Sequence, residues 1–502
     1  MNPCSKMKPV AELLVHQTTA AELLVAKKTQ VFDFEGTLLR STSLFPYFML
    51  VAFEAGGLLR SLILFLSYPL VWLVGEDQLG LEIMVFLCFF GIRKDTCRIG
   101  SAVLPKFFLE DVGWEGFEAV MCCERKVAYS KLPRIMVEGF LKDYLCVDAV
   151  VARELKSFNG YFLGLFEEKK ANKTTASYEG KVKAINDNTT GTTDKELLSH
   201  LKEVYLMLNS EKRNWHVLPR EKYPKPLIFH DGRLAFRPTP ASSLALIIWL
   251  PFALGLAIFR FIFGTFLPFN VSAPILAFSG TRTTLSKPQN PLSSIHNQEE
   301  KGMLYVCNHR TLLDPLYLSY VLNQPLSAVT YSLSRFIELV SPIKTIRLTR
   351  DREKDREAMG KLLKLGSLVV CPEGTTCREP YLLRFSPLFA ELTDDIVPVA
   401  VDVKVSMFYG TTATGHKCLD PIFHFLNPNP TYFIKFLERL PQSETCLGGG
   451  KSRIEVANFV QNKIANALGF ACTSLTRKDK YMVLAGNEGV YQKPGSHCHN
   501  CQ

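Results

Sequence analysis

The first thirty residues contain no arginine, and Glu12 and Glu22 add acid to the short amphipathic stretch among them, so a mitochondrial presequence is not expected. No secretory leader is expected either. The 14 cysteines are scattered through polar and apolar segments without the spacing of a disulfide framework. That pattern predicts reduced thiols facing cytosol. The 58 lysines and arginines are dispersed and accompany no nucleic-acid motif, which argues against nucleic acid as a partner. Metal ligands are no better placed. The tail His497-Cys-His-Asn-Cys501 has the right residue types, but such adjacent residues cannot close a tetrahedral site, and we expect no metal and no resident cofactor.

Apolar residues, by contrast, are plentiful and come in blocks. They make up 47% of the 502 residues, with 35 phenylalanines. The length exceeds one ordinary core, so two domains plus membrane-associated segments are expected. A formal net charge of +10 suits an anionic membrane surface or phosphate-bearing substrates. The run at 44–74, interrupted by Glu54, Arg60 and Pro69, and the shorter run at 79–92 fit a buried helical cap or a monotopic anchor, membrane contact being favoured. The clearest membrane candidate is 241–269, where only Arg260 is charged. It exceeds the ~20 residues that cross hydrocarbon, and Pro251 marks a kink or the bend of a hairpin in one leaflet. Polar stretches at 169–196 and 270–301 read as a solvated insertion and a connection.

The chemistry gathers in Val306-Cys-Asn-His-Arg-Thr-Leu-Leu-Asp-Pro315. An apolar lead-in reads as a short strand, His309 stands where it ends, and Asp314 follows five residues later, ahead of Pro315. An alcohol is a poor nucleophile at neutral pH, so acyl transfer to it needs a base within hydrogen-bond reach. A neutral imidazole serves, and a carboxylate on its far nitrogen fixes the tautomer. The plain alternative is a strand-end histidine followed by an N-capping aspartate.

Downstream, Val370-Cys-Pro-Glu-Gly-Thr-Thr-Cys-Arg-Glu379 is a second strand running into a polar turn. Gly374 lets backbone approach a ligand there, with Glu373 and Arg378 suited to hydroxyl and phosphate. Arg347, Arg350 and Arg352 lie between the two, and Ile396-Val-Pro-Val-Ala-Val401 reads as a further buried strand. Nearer the start, Val31-Phe-Asp-Phe-Glu-Gly-Thr37 delivers Asp33 and Glu35 to a phosphate-sized turn, and Ser130 closes a later strand.

These ordered blocks resemble those of the glycerolipid acyltransferases. The forms CNHRTLLDP, LTRDR and CPEGTTCREPYLLRFSPLF, with PKPLIFHDGRL at 224–234, are closer still to the land-plant glycerol-3-phosphate acyltransferases that favour the sn-2 hydroxyl. VFDFEGTLL at 31–39 is similar to the first motif of that family's haloacid-dehalogenase-like phosphatase domain. The resemblance covers about 31–475 and implies an α/β chain. Its parts are an extension at 1–30, a dehalogenase-like Rossmannoid domain at 31–235 holding the apolar segments at 44–92, an anchor or hairpin at 241–269, an α/β acyltransferase domain at 270–475 and a tail at 476–502.

The same resemblance implies glycerol 3-phosphate and acyl-CoA as substrates, membrane lipid as surroundings and lysophosphatidate as product. The membrane expected is the endoplasmic reticulum with the site facing cytosol, a mitochondrial membrane being the alternative. His309 is then the base and Asp314 its orienter. Arg350 contacts the phosphate, Glu373 the glycerol hydroxyl, and Gly374 shapes the pocket. Thr376 stands where most acyltransferase families put arginine, so Arg378 is expected to supply that charge; Arg310 and Arg335 are further phosphate candidates. In the phosphatase-like domain Asp33 takes the nucleophile's position. Glu35 replaces the second aspartate, however, and Gly191-Thr-Thr-Asp194 has threonine where the Mg²⁺ motif needs its first aspartate. That domain is therefore expected to be a degenerate phosphatase, leaving the product phosphorylated. The alternatives are acylation of a lysophosphatidate and a bifunctional enzyme releasing monoacylglycerol.

Overall fold

The computed structural model describes residues 29–76, 78–122, 125–167, 215–286, 302–331 and 335–489. The insertion at 169–196 with its Mg²⁺-motif stretch, the Arg335 side chain and the His/Cys tail lie outside the described residues. The chain divides into two compact units: Met1–His230 with Arg237–Leu244, and Asp231–Phe236 with Ala245–Gln502.

In the first unit, strand β1 (Thr29–Asp33) pairs in parallel with β2 (Arg125–Ser130), which pairs in parallel with β3 (Ala149–Ala152). Parallel strands need crossover connections, and helices between them supply these. Aromatic side chains fill the layer, with Phe34 and Phe140 each 5.2 Å from Phe108, ring to ring. A hairpin of β4 (Leu155–Phe158) and β5 (Tyr161–Phe166) follows.

The apolar run at 44–74 forms a single helix, α1 (Phe45–Val74), interrupted at Gly57, whose φ of 75° is non-helical. Before that break Phe45–Phe53 are buried; beyond it Leu59, Leu66, Trp72 and Leu73 are 69–76% exposed. The first half is core and the second presents an apolar surface. Helix α2 (Leu79–Phe89) packs against it, and Arg60, which interrupts the run in sequence, caps its end by donating to the carbonyls of Cys88 (2.7 Å) and Phe90 (2.8 Å).

The second unit carries a seven-stranded sheet of β6 (Arg282–Ser286), β7 (Leu304–Cys307), β8 (Ser327–Thr330), β9 (Lys344–Arg347), β10 (Leu368–Val370), β11 (Ile396–Lys404) and β12 (Thr431–Phe436), in the order β6-β12-β11-β7-β10-β8-β9. All its pairs are parallel except β11 with β12. The central strands are buried throughout, which is why they read as continuous apolar runs. Leu304, Val306, Val370 and Ile396 pack with Met359 and Leu362 of one helix and Val456 and Val460 of another.

Helix α3 (Pro240–Phe266) passes through Pro251 without a break and ends ahead of Pro268, so the hairpin alternative for this run is not what forms. At 27 residues it is about 40 Å long, more than a ~30 Å hydrocarbon core. Among the described residues α1 and α3 are long and apolar enough to cross a membrane. The lone charge of α3, Arg260, is wholly buried and donates to the carbonyls of Phe425 (2.8 Å), Asn427 (2.6 Å) and Pro428 (2.8 Å).

Three expected boundaries move. Asp231–Phe236 belongs to the second unit, where Tyr409 donates to the Arg233 carbonyl (2.7 Å) and Ala235 to that of Met407 (2.9 Å). The 241–269 segment is divided between the units, Ala245 onward being assigned to the second. Arg477–Ala485, placed in the tail by sequence, forms a capped helix of the same unit.

Candidate active site

Strand β7 ends at Cys307, and Asn308 fixes the turn that follows. Its side chain donates to the Val401 carbonyl (2.8 Å) and accepts from the Val401 N–H (2.8 Å). His309 comes next, with Nδ1 3.0 Å from Asp314 Oδ2. The Asp314 carboxylate is fully buried and also accepts from the backbone N–H of Arg310 (2.6 Å) and Thr311 (3.0 Å) and from Thr311 Oγ1 (3.0 Å). Leu313, not Asp314, is the N-cap of helix α4 (Asp314–Leu322). The aspartate turns back on the loop and binds the imidazole, leaving Nε2 with the lone pair a base requires.

Glu373 holds the other side of His309. Its carboxylate accepts from the backbone N–H of His309 (2.7 Å) and of Leu383 (2.9 Å). Burial lifts Glu373 to about 7 against the pull of those two donors. Gly374 sits at φ 66°, in the left-handed region that favours glycine, and Cys377 donates to the His309 carbonyl (2.9 Å). The two turns predicted separately are thus one stitched unit.

Burial alone would lower the His309 pKa, but Cys371 and Asp314 outweigh it and hold the imidazole well above the ordinary range. Contact with Cys307 and burial in turn keep the Cys371 thiol protonated.

His309 and the Glu373–Thr376 turn line a cavity of about 950 Å³ whose wall also includes Leu312, Met359 and Phe389. Arg384, Lys417 and Arg477 bring positive charge to it. Arg350, expected to contact the phosphate, is exposed and is not among the residues that line this cavity. This arginine has a left-handed backbone (φ 71°) held by Asp355, which accepts from its N–H at 2.9 Å. Burial first, and the Arg350 charge second, depress Arg477.

Two expectations fail here. Arg310 is engaged by protein, donating to the carbonyls of Cys377 and Glu379 (both 2.8 Å) and pairing with Asp402 (2.9 Å). Arg378 pairs with Asp231 (3.5 Å) and donates to Thr411 Oγ1 (3.0 Å). Each guanidinium ties down a loop rather than facing a substrate phosphate. At Thr376 the nearby charge is Lys480 in helix α5 (Arg477–Ala485), whose Nζ donates to the Thr376 carbonyl (2.5 Å) and to Thr376 Oγ1 (3.1 Å). Burial and the Arg378 charge push Lys480 down to about 8. Nothing local marks Lys480, which is 104 residues from its partner.

Residues 29–207 match the family described as "Glycerol-3-phosphate acyltransferase RAM2-like, HAD-like domain", and residues 291–402 match the family "Acyltransferase". The chain is 52% identical to "Probable glycerol-3-phosphate acyltransferase 2" of Arabidopsis thaliana, over 93% of this chain and 91% of that one. It is 48% identical to "Glycerol-3-phosphate acyltransferase 1" of Arabidopsis thaliana, over 95% and 85%. To "Glycerol-3-phosphate acyltransferase RAM2" of Petunia hybrida it is 43% identical, over 92% and 98%. The chain belongs to the plant glycerol-3-phosphate acyltransferase family. It is an acyltransferase with a dehalogenase-like first domain.

In that first domain the expected residues also meet. Ser130 Oγ donates to Glu35 Oε1 at 2.5 Å, and a Cβ on Gly36 would lie 2.5 Å from Asp33 Oδ2, so a side chain there would push that carboxylate from its present place. Burial first and the Asp33 carboxylate second raise Glu35 to about 8.

Proposed function

We propose that this acyltransferase moves an acyl group from acyl-CoA directly to a hydroxyl of glycerol 3-phosphate, with no acyl-enzyme, and releases lysophosphatidate with its phosphate intact. The observation that carries this reading is the His309–Asp314 pair, bracketed by Glu373, on the wall of a largely apolar cavity with a basic margin.

His309 Nε2 takes the hydroxyl proton as the oxygen attacks the thioester carbonyl. Asp314 stabilises the imidazolium, which then returns the proton to the departing CoA thiolate. Backbone N–H groups of the two stitched turns stabilise the oxyanion. Arg350 and the cavity arginines hold the phosphate, and Lys480 braces the turn beside it. Apolar wall residues accommodate the acyl chain, and no cofactor or metal takes part. By analogy with the family, the sn-2 hydroxyl is preferred. Helices α1 and α3 fit a membrane setting, and we place the enzyme at the endoplasmic reticulum with this site facing cytosol.

A second reading, a bifunctional enzyme releasing monoacylglycerol, draws on the meeting of Asp33, Glu35 and Ser130. The retained-phosphate reading draws on Thr192 at the first metal-binding position. One experiment separates them. Purified protein receives radiolabelled glycerol 3-phosphate, acyl-CoA and Mg²⁺, and products are followed in time. Labelled lysophosphatidate that depends on His309 supports the proposal; no acylated product would overturn it, and monoacylglycerol would establish the second reading.

A further inference from the structure

We propose that Cys307 and Cys371 form an oxidisable dithiol in the wall of the acyl-transfer site, where peroxide closes a disulfide that shuts the enzyme down. Cys307 is the last residue of β7, and Cys371 immediately follows β10. The parallel register that pairs Val306 with Val370 makes the two cysteines neighbours across the strand pair. Their sulfur atoms are 3.4 Å apart. Adjacent strands run roughly 4.8 Å apart, inside the Cα separation of about 4.4–6.8 Å that a disulfide spans. Closure therefore needs rotation of two side chains and little strand movement.

Access separates the two thiols. Cys307 is fully buried, whereas Cys371 is partly exposed and lines the same cavity as His309. An oxidant entering the cavity meets Cys371 first, with Cys307 behind it as the resolving thiol. Cys371 shares that cavity wall with His309, and its thiol loses its proton to solvent before it reacts. The thiolate attacks one peroxide oxygen, the O–O bond breaks, and the other oxygen leaves as water, leaving Cys371 as a sulfenic acid. The Cys307 thiol then displaces that hydroxyl as a second water. Two thiols and one peroxide thus give one disulfide and two waters. Because the resting thiol is held protonated, the reaction speeds up as pH rises.

The disulfide acts on catalysis through named contacts. It ties the end of β10 to β7. The next two residues are Pro372 and Glu373, whose carboxylate holds the His309 N–H at 2.7 Å. A displacement on the order of 1 Å at a catalytic base costs ~10²-fold in rate.

The test uses the full-length enzyme, exposed to hydrogen peroxide, then alkylated, digested and mapped by mass. The expected result is a cross-linked peptide pair lighter than the reduced peptides by two hydrogens, with fragment ions placing the bridge at Cys371 rather than Cys377. Activity should fall ~10²-fold in step with the cross-link and return with dithiothreitol, and saturating acyl-CoA should slow both changes. Cys307→Ser should form no cross-link, and its loss of activity should not reverse, since an unresolved sulfenic acid oxidises further. Failure of the cross-link to form while Cys418 or Cys472 is oxidised would overturn the proposal. So would a cross-linked enzyme of undiminished activity. The activity arm rests on the acyl-transfer reading above. An untreated enzyme without acyl transfer would count against that reading, and the peptide map would still decide the dithiol.

Discussion

Each unit places carboxylates at the end of a parallel strand, yet the two settings use them oppositely. Asp314 is ringed by donors from the His309, Arg310 and Thr311 segment, so its charge is matched and the imidazole beside it is held in one orientation. Glu35 faces another carboxylate, Asp33, and is raised to about 8 even though Ser130 Oγ and the Leu132 N–H donate to it. A carboxylate supplied with donors can steady a positive partner in a reaction. One set against its own kind is pushed toward its protonated form. The difference lies in the surroundings rather than in the residue types.

The largest effect that sharpens this contrast is His309→Ala, which should cut acyl transfer ~10²–10⁴-fold while membrane association persists. Asp33→Asn, in the other unit, should leave acyl transfer within about twofold, as expected of sites that share no partners. Initial rates on both purified variants decide it. Equal losses would mean that the two carboxylate sites are not independent.

Asp314→Asn comes next, and its signature is the pH profile. A raised His309 pKa means that the imidazole is protonated, and useless as a base, over a wider acidic range. In the wild type kcat/KM should therefore rise with pH through a midpoint above the ordinary ~6.5 of histidine. With asparagine the negative partner is gone, so the midpoint should shift down even as the maximal rate falls by ~10² or more. A loss of rate with an unmoved midpoint would remove Asp314 as the source of the lift.

Smaller effects should distinguish the exposed Arg350, proposed to hold the phosphate, from arginines that hold loops. Arg350→Ala should raise the KM for glycerol 3-phosphate about 10-fold or more, as loss of a charge-assisted contact predicts, with little change for acyl-CoA. Arg378→Met leaves Asp231 buried beside an empty place, and it should lower thermal stability by about 3 kcal/mol or more with proportionate effects on both substrates. Substrate-specific KM changes in Arg378→Met would return that arginine to the phosphate site.

These assignments show which parts of the protein were legible in sequence. His309 and Asp314 are five residues apart, and strand, turn and helix start bring them together locally, so residue type and spacing sufficed. The buried strands of the sheet were legible because a strand covered on both faces is apolar throughout. Arg310 and Arg378 were misread because a guanidinium's role depends on carbonyls and carboxylates delivered from afar, such as Asp231 to Arg378. Lys480 and the Cys307–Cys371 pair were missed for the same reason, their contacts spanning 104 and 64 residues. Composition also could not divide α1 at Gly57, since both halves are equally apolar and only packing separates core from surface.

The smallest expected effect is none at all, in Glu35→Asp. This change restores the residue type that dehalogenase-like chemistry implies and withdraws the carboxyl from Ser130 by about 1 Å, a shift that matters ~10²-fold in a positioned site. If Glu35 were the single defect, monoacylglycerol should appear. We expect that it does not, because a hard cation needs carboxylate oxygens and Thr192 offers a neutral hydroxyl where the first aspartate of the Mg²⁺ motif belongs. Glu35→Asp should therefore give labelled lysophosphatidate as its end product, as the wild type does, with or without Mg²⁺. The pair of changes Glu35→Asp and Thr192→Asp is the sharper test, since it supplies both missing groups. Time-dependent monoacylglycerol from the wild type that vanishes in Asp33→Asn would show that the carboxylate pair, despite its proton, already works as a phosphatase.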